Sequence, residues 1–273
     1  MQEDKEVIKK ESTEENANES MSFWDHLEVL RWAFFRSACV LLLCLIGTFS
    51  LLPPIFDDFI LAATSNDFFV YRWLSKISHG MITFSPDFNV QIININVASQ
   101  FMTHITTALY LGLLCASPYI LVELFHFITP ALYENEKKHS VSVAITMYLL
   151  FVIGVLMSYF VLFPISFRFL GTYSVSGMVE SNITLKSYIS TFTTLTLVMG
   201  LVFQLPVIAF FLGKLEVVTA SMLKQYRKYA FLVIMVVAAI ITPPDLMTLV
   251  LVTIPLYLLY EVSILALKRM EKR

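Results

Sequence analysis

The stretch Val141-Ser142-Val143-Ala144-Ile145-Thr146-Met147-Tyr148-Leu149-Leu150-Phe151-Val152-Ile153-Gly154-Val155-Leu156-Met157-Ser158-Tyr159-Phe160-Val161-Leu162-Phe163-Pro164 carries no charged residue. Its apolar residues do not repeat at 3 to 4, so it has no polar face to turn toward water. An uncharged run of this length matches the roughly 20 helical residues that a bilayer core of about 30 Å requires. Working outward, the same pattern recurs. A first span is predicted over about Trp32–Leu52, ending at Pro53-Pro54, with Arg36 near its start, where a long side chain can snorkel to the headgroups. A second covers Ala98–Leu121 and continues as helix to Phe127, and the third is Val141–Pro164 itself. A fourth covers Tyr188–Leu212 with Pro206 inside it. A short fifth covers Tyr229–Ile241, and a sixth Leu246–Leu267 contains Pro255. Thr242-Pro243-Pro244-Asp245 leaves room only for a tight turn between the last two. The whole chain agrees, with 57% hydrophobic and only 15% charged residues in 273.

Charge then orients the spans. Lys5, Lys9, Lys10, Arg31, Lys137, Lys138, Lys214, Lys224, Arg227, Lys228, Lys268, Arg269, Lys272 and Arg273 fall on one set of connecting segments. The opposite set carries Arg72, Lys76, Arg168 and Lys186. The basic set is predicted to be cytoplasmic. Both termini are then inside, which requires an even number of spans, and six fits. The fold class is therefore all-α, a six-helix polytopic membrane domain over residues 22–267 with its last two helices short. It is flanked by a polar tail over 1–21 and a basic tail over 268–273. Residues 1–20 have no apolar core of a signal peptide and read as a solvated tail. Between the first two spans, Asp67–Ile77 reads as an amphipathic interfacial helix, and Ile93–Val97 as a short extended piece.

Little here points to catalysis. Gly213-Lys214-Leu215 lacks the flanking residues of a phosphate loop, and HExxH and GxSxG are absent. Cys39, Cys44 and Cys115 lie in apolar runs without metal or redox spacing and read as small buried hydrophobes. No cofactor or metal is expected. Three polar features remain: the amphipathic lead-in Ser22–Arg31, the loop Pro118–Lys138 with its acidic tip at Glu134 and Glu136, and two polar groups at membrane depth, Gln204 and Glu261. An ionised carboxylate near the bilayer centre costs about 2.5–3.5 kcal/mol on insertion scales, so such groups face protein or water. On the residues alone, each feature also reads as an interfacial anchor, a solvated loop or an interhelical hydrogen bond. A small-molecule transporter and a passive scaffold both stay open. The transporter would need a midplane site of broken helices or several charges, for which Gln204 and Glu261 are the only candidates.

Together these features resemble the TatC family, the signal-peptide-receiving subunit of the twin-arginine protein translocase, from about Ser22 to Leu267. The family's HLxELR-type motif is matched by His26-Leu27-Glu28-Val29-Leu30-Arg31, with Val29 at the usual Glu position and Glu28 beside it. The loop motif FxxPxLYxxEK is matched by Phe127, Pro130, Leu132, Tyr133, Glu136 and Lys137. Val97–Phe101, Phe160–Pro164, Thr242–Asp245 and Ile254–Tyr257 continue the series. Phe203-Gln204-Leu205-Pro206 departs from the family's FExP by an amide in place of the carboxylate. The resemblance implies a bacterial inner-membrane protein that is not an enzyme. It implies binding of the paired arginines of folded precursors at the cytoplasmic face, through Glu28, Arg31, Phe127, Pro130, Leu132, Tyr133 and Glu136. It also implies single-span TatA/TatB-type partner subunits, a homo-oligomeric receptor complex and passage driven by the proton-motive force. Gln204 and Glu261 then become candidate contacts for a partner helix, and Pro243, Pro244 and Asp245 a tight periplasmic turn.

Overall fold

The computed structural model describes residues 23–65, 68–77, 92–128, 140–173, 176 and 182–271. Helix α1, Phe23–Ile55, runs through the expected first span, passes Pro53 and Pro54 in its last turn, and gives way to a π-helical turn at Phe56–Ile60 and a 3₁₀ turn at Ala62–Thr64. Helix α2, Phe69–Ile77, follows. Strand β1, Ile92–Ile93, leads into α3, Ser99–Ile128. Helix α4, Ser140–Met157, continues through a π-helical turn at Ser158–Leu162 into α5, Phe163–Thr172. Strand β2, Ile183–Thr184, pairs in parallel with β1, Ile92 opposite Ile183. Then come α6, Leu185–Val202, α7, Leu205–Lys214, α8, Ala220–Gln225, α9, Arg227–Ile241, and α10, Leu246–Met270.

The prolines explain where the helices bend and what mends them. A proline lacks the N–H that its i−4 carbonyl needs, and lipid offers no donor in its place. Pro118 frees the Leu114 carbonyl, which accepts from Ser117 Oγ at 2.7 Å. Pro53 frees the Phe49 carbonyl, which accepts from His104 Nε2 at 2.9 Å across the α1–α3 interface. Pro206 coincides with a break: the expected continuous fourth span is two helices, α6 and α7, joined at the Phe203–Gln204 turn. That break follows from the missing N–H at Pro206 and the restriction a proline puts on the residue before it.

Adjacent helices alternate in direction, as their contacts show. The N-terminal half of α1 meets the C-terminal half of α3 at Arg36 and Glu123, while Phe49 meets His104 at their other ends. Met147 in the first half of α4 meets Gln204 just after α6, while Gly154 further along α4 meets Met199 before it. Phe125 near the end of α3 packs on Phe211 of α7, and Arg227 at the start of α9 meets Glu261 of α10. Gly213 of α7 lies against Leu267 and Met270 of α10. The starts of α1, α4 and α9 and the ends of α3, α7 and α10 therefore share one end of the bundle. This is the end that carries the basic segments.

The far end is capped by the segment between α1 and α2. Tyr159 donates to the Phe59 carbonyl at 2.8 Å and Tyr188 to that of Ile60 at 2.6 Å, while Tyr71 Oη lies 2.9 Å from the Ala63 carbonyl. These carbonyls sit where regular helix has ended, so the phenols complete them. Helix α2 packs into this cap. Val70 and Tyr71 are buried, with the Arg168 guanidinium 4.6 Å above the Tyr71 ring, and Phe69 and Trp73 are left outward as an interfacial helix requires. The main core lies just beneath, around Phe163, Phe167, Tyr188, Phe192, Met199 and Leu256.

Among the described residues five helical runs are long and apolar enough to cross a membrane: α1, α3, α4 with α5, α6 with α7, and α10. The expected sixth span, α10, is not short but runs 25 residues, because Pro255 does not interrupt it. The expected fifth span is α9, short as expected, whose 15 residues reach about 22 Å at 1.5 Å per residue. Its outer face is as apolar as those of the longer helices, with Tyr229, Leu232 and Ile240 exposed. Apolar surface on this scale has no place in water. The molecule is a multi-pass membrane protein.

Candidate functional site

Of the residues singled out in the sequence, Glu28, Arg31, Phe127 and Glu261 are described at the basic end. Among the residues of α1 whose burial is described, Ala33 is the first buried one, and positions 27–32 are largely exposed. Glu28 and Arg31 stand there on neighbouring turns, 3.7 Å apart and both well exposed. Such a pair contributes about 0–1 kcal/mol, so both side chains are free to exchange partners. Val29 is half-buried one position further round the helix. Phe127 belongs to the last turn of α3, which ends at the same end of the bundle as α1 begins. Pro130, Leu132, Tyr133 and Glu136 lie outside the described residues.

Between these two segments the structure places a contact that the sequence reading missed. Arg36 of α1 forks onto Glu123 of α3, with Nε to Oε1 and Nη2 to Oε2 both at 2.9 Å. Tyr119, one turn before Glu123, donates its hydroxyl to Oε1 at 2.7 Å. The carboxylate is only 10% exposed and the guanidinium side chain 52%. Arg36 therefore does not simply snorkel to the headgroups as expected; it answers a carboxylate on the neighbouring helix. The signal was present in the sequence, because Glu123 is a carboxylate at the edge of an apolar run and such a group needs a partner.

Gln204 is 6% exposed in the turn between α6 and α7. Its Nε2 donates to the Met147 carbonyl at 3.0 Å, and its Oε1 has no hydrogen-bond partner among the described residues. Glu261 of α10 is not a lone group at membrane depth. It accepts from Arg227 Nη2 at 2.6 Å, at the start of α9, and the neighbouring Tyr260 donates to the Leu223 carbonyl at 2.6 Å. Glu261 thus lies toward the basic end rather than at membrane depth, about two turns before Lys268. At the opposite end, Asp245 caps α10 by accepting from the Thr248 N–H at 2.7 Å. Its own N–H donates to the Pro243 carbonyl at 2.7 Å, closing the Pro243-Pro244-Asp245 turn. The proline pair stops α9, and the aspartate starts α10.

Fold and site define a multi-pass α-helical membrane protein whose paired charges cluster at one end. The model of the family described as Sec-independent protein translocase protein (TatC) matches residues 25–255. The chain belongs to the TatC family of protein translocase components. The TatC protein of Blattabacterium sp. subsp. Periplaneta americana is 34% identical over 256 residues, covering 91% of this chain and 96% of that one. The TatC protein of Carboxydothermus hydrogenoformans is 32% identical over 249 residues, covering 91% and 93%. A crystal structure of the twin-arginine translocase receptor TatC superposes with a TM-score of 0.72 at 30% identity, over 91% of this chain and all of that one.

Proposed function

We propose that this chain is the subunit of a twin-arginine translocase that receives the signal peptide. It crosses the bacterial inner membrane six times, with both termini in the cytoplasm, and the short α9 pairs with α10 at a locally thinned or protein-packed site. The observation that carries the reading is one of placement. The start of α1, which bears His26–Arg31, and the end of α3, which bears Phe127, lie at the same, basic end of two packed helices. A peptide with paired arginines calls for carboxylate acceptors in fork geometry, and Glu28 and Glu136 are the candidates on that side. Arg31, Phe127, Pro130, Leu132 and Tyr133 would shape the surface around them. Exposed ion pairs select the motif, and the apolar part of the signal packs along the spans and lipid for most of the affinity. Single-span TatA/TatB-type subunits are the partners. The buried, half-satisfied amide of Gln204 is the polar group best suited to a partner helix. Passage of folded precursors is driven by the proton-motive force, in a receptor complex containing several copies of the chain.

Photo-crosslinking in inverted membrane vesicles tests this. A photoreactive residue at Asn135, beside Glu136, is expected to capture a twin-arginine precursor and not its twin-lysine counterpart. Equal capture of both, or of neither by intact and correctly oriented protein, would overturn the reading.

A further inference from the structure

The two segments of the candidate site come from different helices, and their separation has to be fixed by something. Helix α1 is packed against α3 at close range in its far half: a Cβ on Gly112 would sit 3.0 Å from the Leu45 backbone, and Thr48 Oγ1 donates to the Ala108 carbonyl at 2.8 Å. Toward the basic end, Ala33 is the outermost buried residue of α1 and Arg36 makes the last polar tie to α3 among the described residues. Glu28 lies eight residues beyond Arg36, about 12 Å along the helix axis. Glu123 lies one turn before Phe127. The Arg36–Glu123 fork thus ties α1 to α3 between the close contacts of their far halves and the start of α1 and end of α3. A tilt of α1 by about 10° about this point moves Glu28 by roughly 2 Å, more than the ~0.5 Å tolerance of a preorganised site.

We infer that the Arg36–Glu123 pair, held by Tyr119, is a positioning clamp that sets the spacing of the start of α1 and the end of α3, where Glu28 and Phe127 lie, and so sharpens the choice of paired arginine over paired lysine. The inference rests on the signal-peptide reading above. The chemistry suits the task. A two-pronged guanidinium–carboxylate contact fixes orientation as well as distance, which a lysine contact does not. Tyr119 comes from the same helix as Glu123 and occupies one carboxylate oxygen, so the carboxylate is held in a single orientation. Glu123 is committed to Arg36 and buried, so it acts through geometry rather than by taking a substrate arginine itself.

The test uses the full chain in its native membrane complex, with three variants: Arg36→Gln, Glu123→Gln and the exchanged pair Arg36→Glu with Glu123→Arg. Spin labels at Leu27 and Leu124, both exposed, report the spacing whether or not any peptide binds. Capture of twin-arginine against twin-lysine precursor reports selectivity. Each single variant is expected to broaden the distance distribution and to lower the arginine-to-lysine capture ratio about tenfold, and the exchanged pair to recover both. A narrow distribution in the single variants, or an exchanged pair that recovers neither readout, would overturn the clamp. Broadened distances with an unchanged capture ratio would overturn its part in selectivity. A parent protein without arginine preference, whose single variants still broaden, would instead count against the signal-peptide reading and leave the clamp's structural half standing.

Discussion

His104 Nε2 lies 2.9 Å from the Phe49 carbonyl, the acceptor that Pro53 leaves without a helical donor. The two rings also stack, centroids 4.1 Å apart and 15° from parallel. The histidine is therefore a repair of the α1 backbone, made from α3. Because a carbonyl only accepts, Nε2 carries the proton. His104→Leu keeps the apolar volume and removes the donor. It is expected to cost about 1–3 kcal/mol, the penalty for a polar group left unpaired away from water. For a chain of this size that is several degrees in the unfolding midpoint in detergent. An unchanged midpoint would show that the contact contributes nothing.

Glu136→Ala is expected to abolish export of twin-arginine precursors while membrane insertion and protein level stay normal. The Ala variant removes the acceptor and leaves the spans untouched. Export assayed in cells that depend on this chain, alongside its abundance in the membrane fraction, checks this. Normal export at normal abundance would remove Glu136 from the site.

Glu261→Gln is expected to be mild. The Arg227–Glu261 contact is short, 2.6 Å, but its side chains are 45% and 30% exposed toward the basic end. A pair in that position contributes about 0–1 kcal/mol. Its loss should shift the unfolding midpoint by no more than a few degrees and leave export within about twofold. Complete loss of export in a stable Glu261→Gln protein would give this carboxylate a functional part that its pairing does not suggest.

These contrasts mark what could be read from the sequence. Span positions, their alternation and the basic end follow from runs of apolar residues and from lysine and arginine placement, and both signals are local in the chain. So is the Pro243-Pro244-Asp245 turn, where proline stops one helix and aspartate caps the next. The break at Phe203–Gln204 was less legible. An apolar run hides it, and only Pro206 hints that one span is two helices. The Arg36–Glu123 fork was not legible as a pair, because its members are 87 residues apart and each alone passes for an interfacial charge. Pairing across helices depends on rotation about the helix axis, which hydropathy does not encode. The same holds for His104 and Phe49.

The close helix contacts give the last prediction. A Cβ on Gly154 would lie 2.6 Å from the Met199 carbonyl oxygen and 2.8 Å from Phe203 Cγ. One of these is backbone and the other a buried ring, so neither can yield without moving α6. Gly200 makes the reciprocal contact, 2.8 Å from the Phe151 ring. Small residues at such points let helices approach closely in lipid, where association rests on packing rather than on the hydrophobic effect. Phe203 begins the turn that holds Gln204 against Met147, so displacement of α6 reaches that amide directly. Gly154→Ala is expected to cost about 1–3 kcal/mol, the usual range for overpacking, and to weaken any partner contact made through Gln204. Gly47→Ala is the control. Its Cβ would meet nothing within 4 Å, and alanine favours helix over glycine by up to about 1 kcal/mol, so stability should hold or rise. Unfolding midpoints of the two variants in detergent decide the matter. Equal midpoints would mean that α4 and α6 separate without penalty, and that the close approach at Gly154 does not position the Gln204 turn.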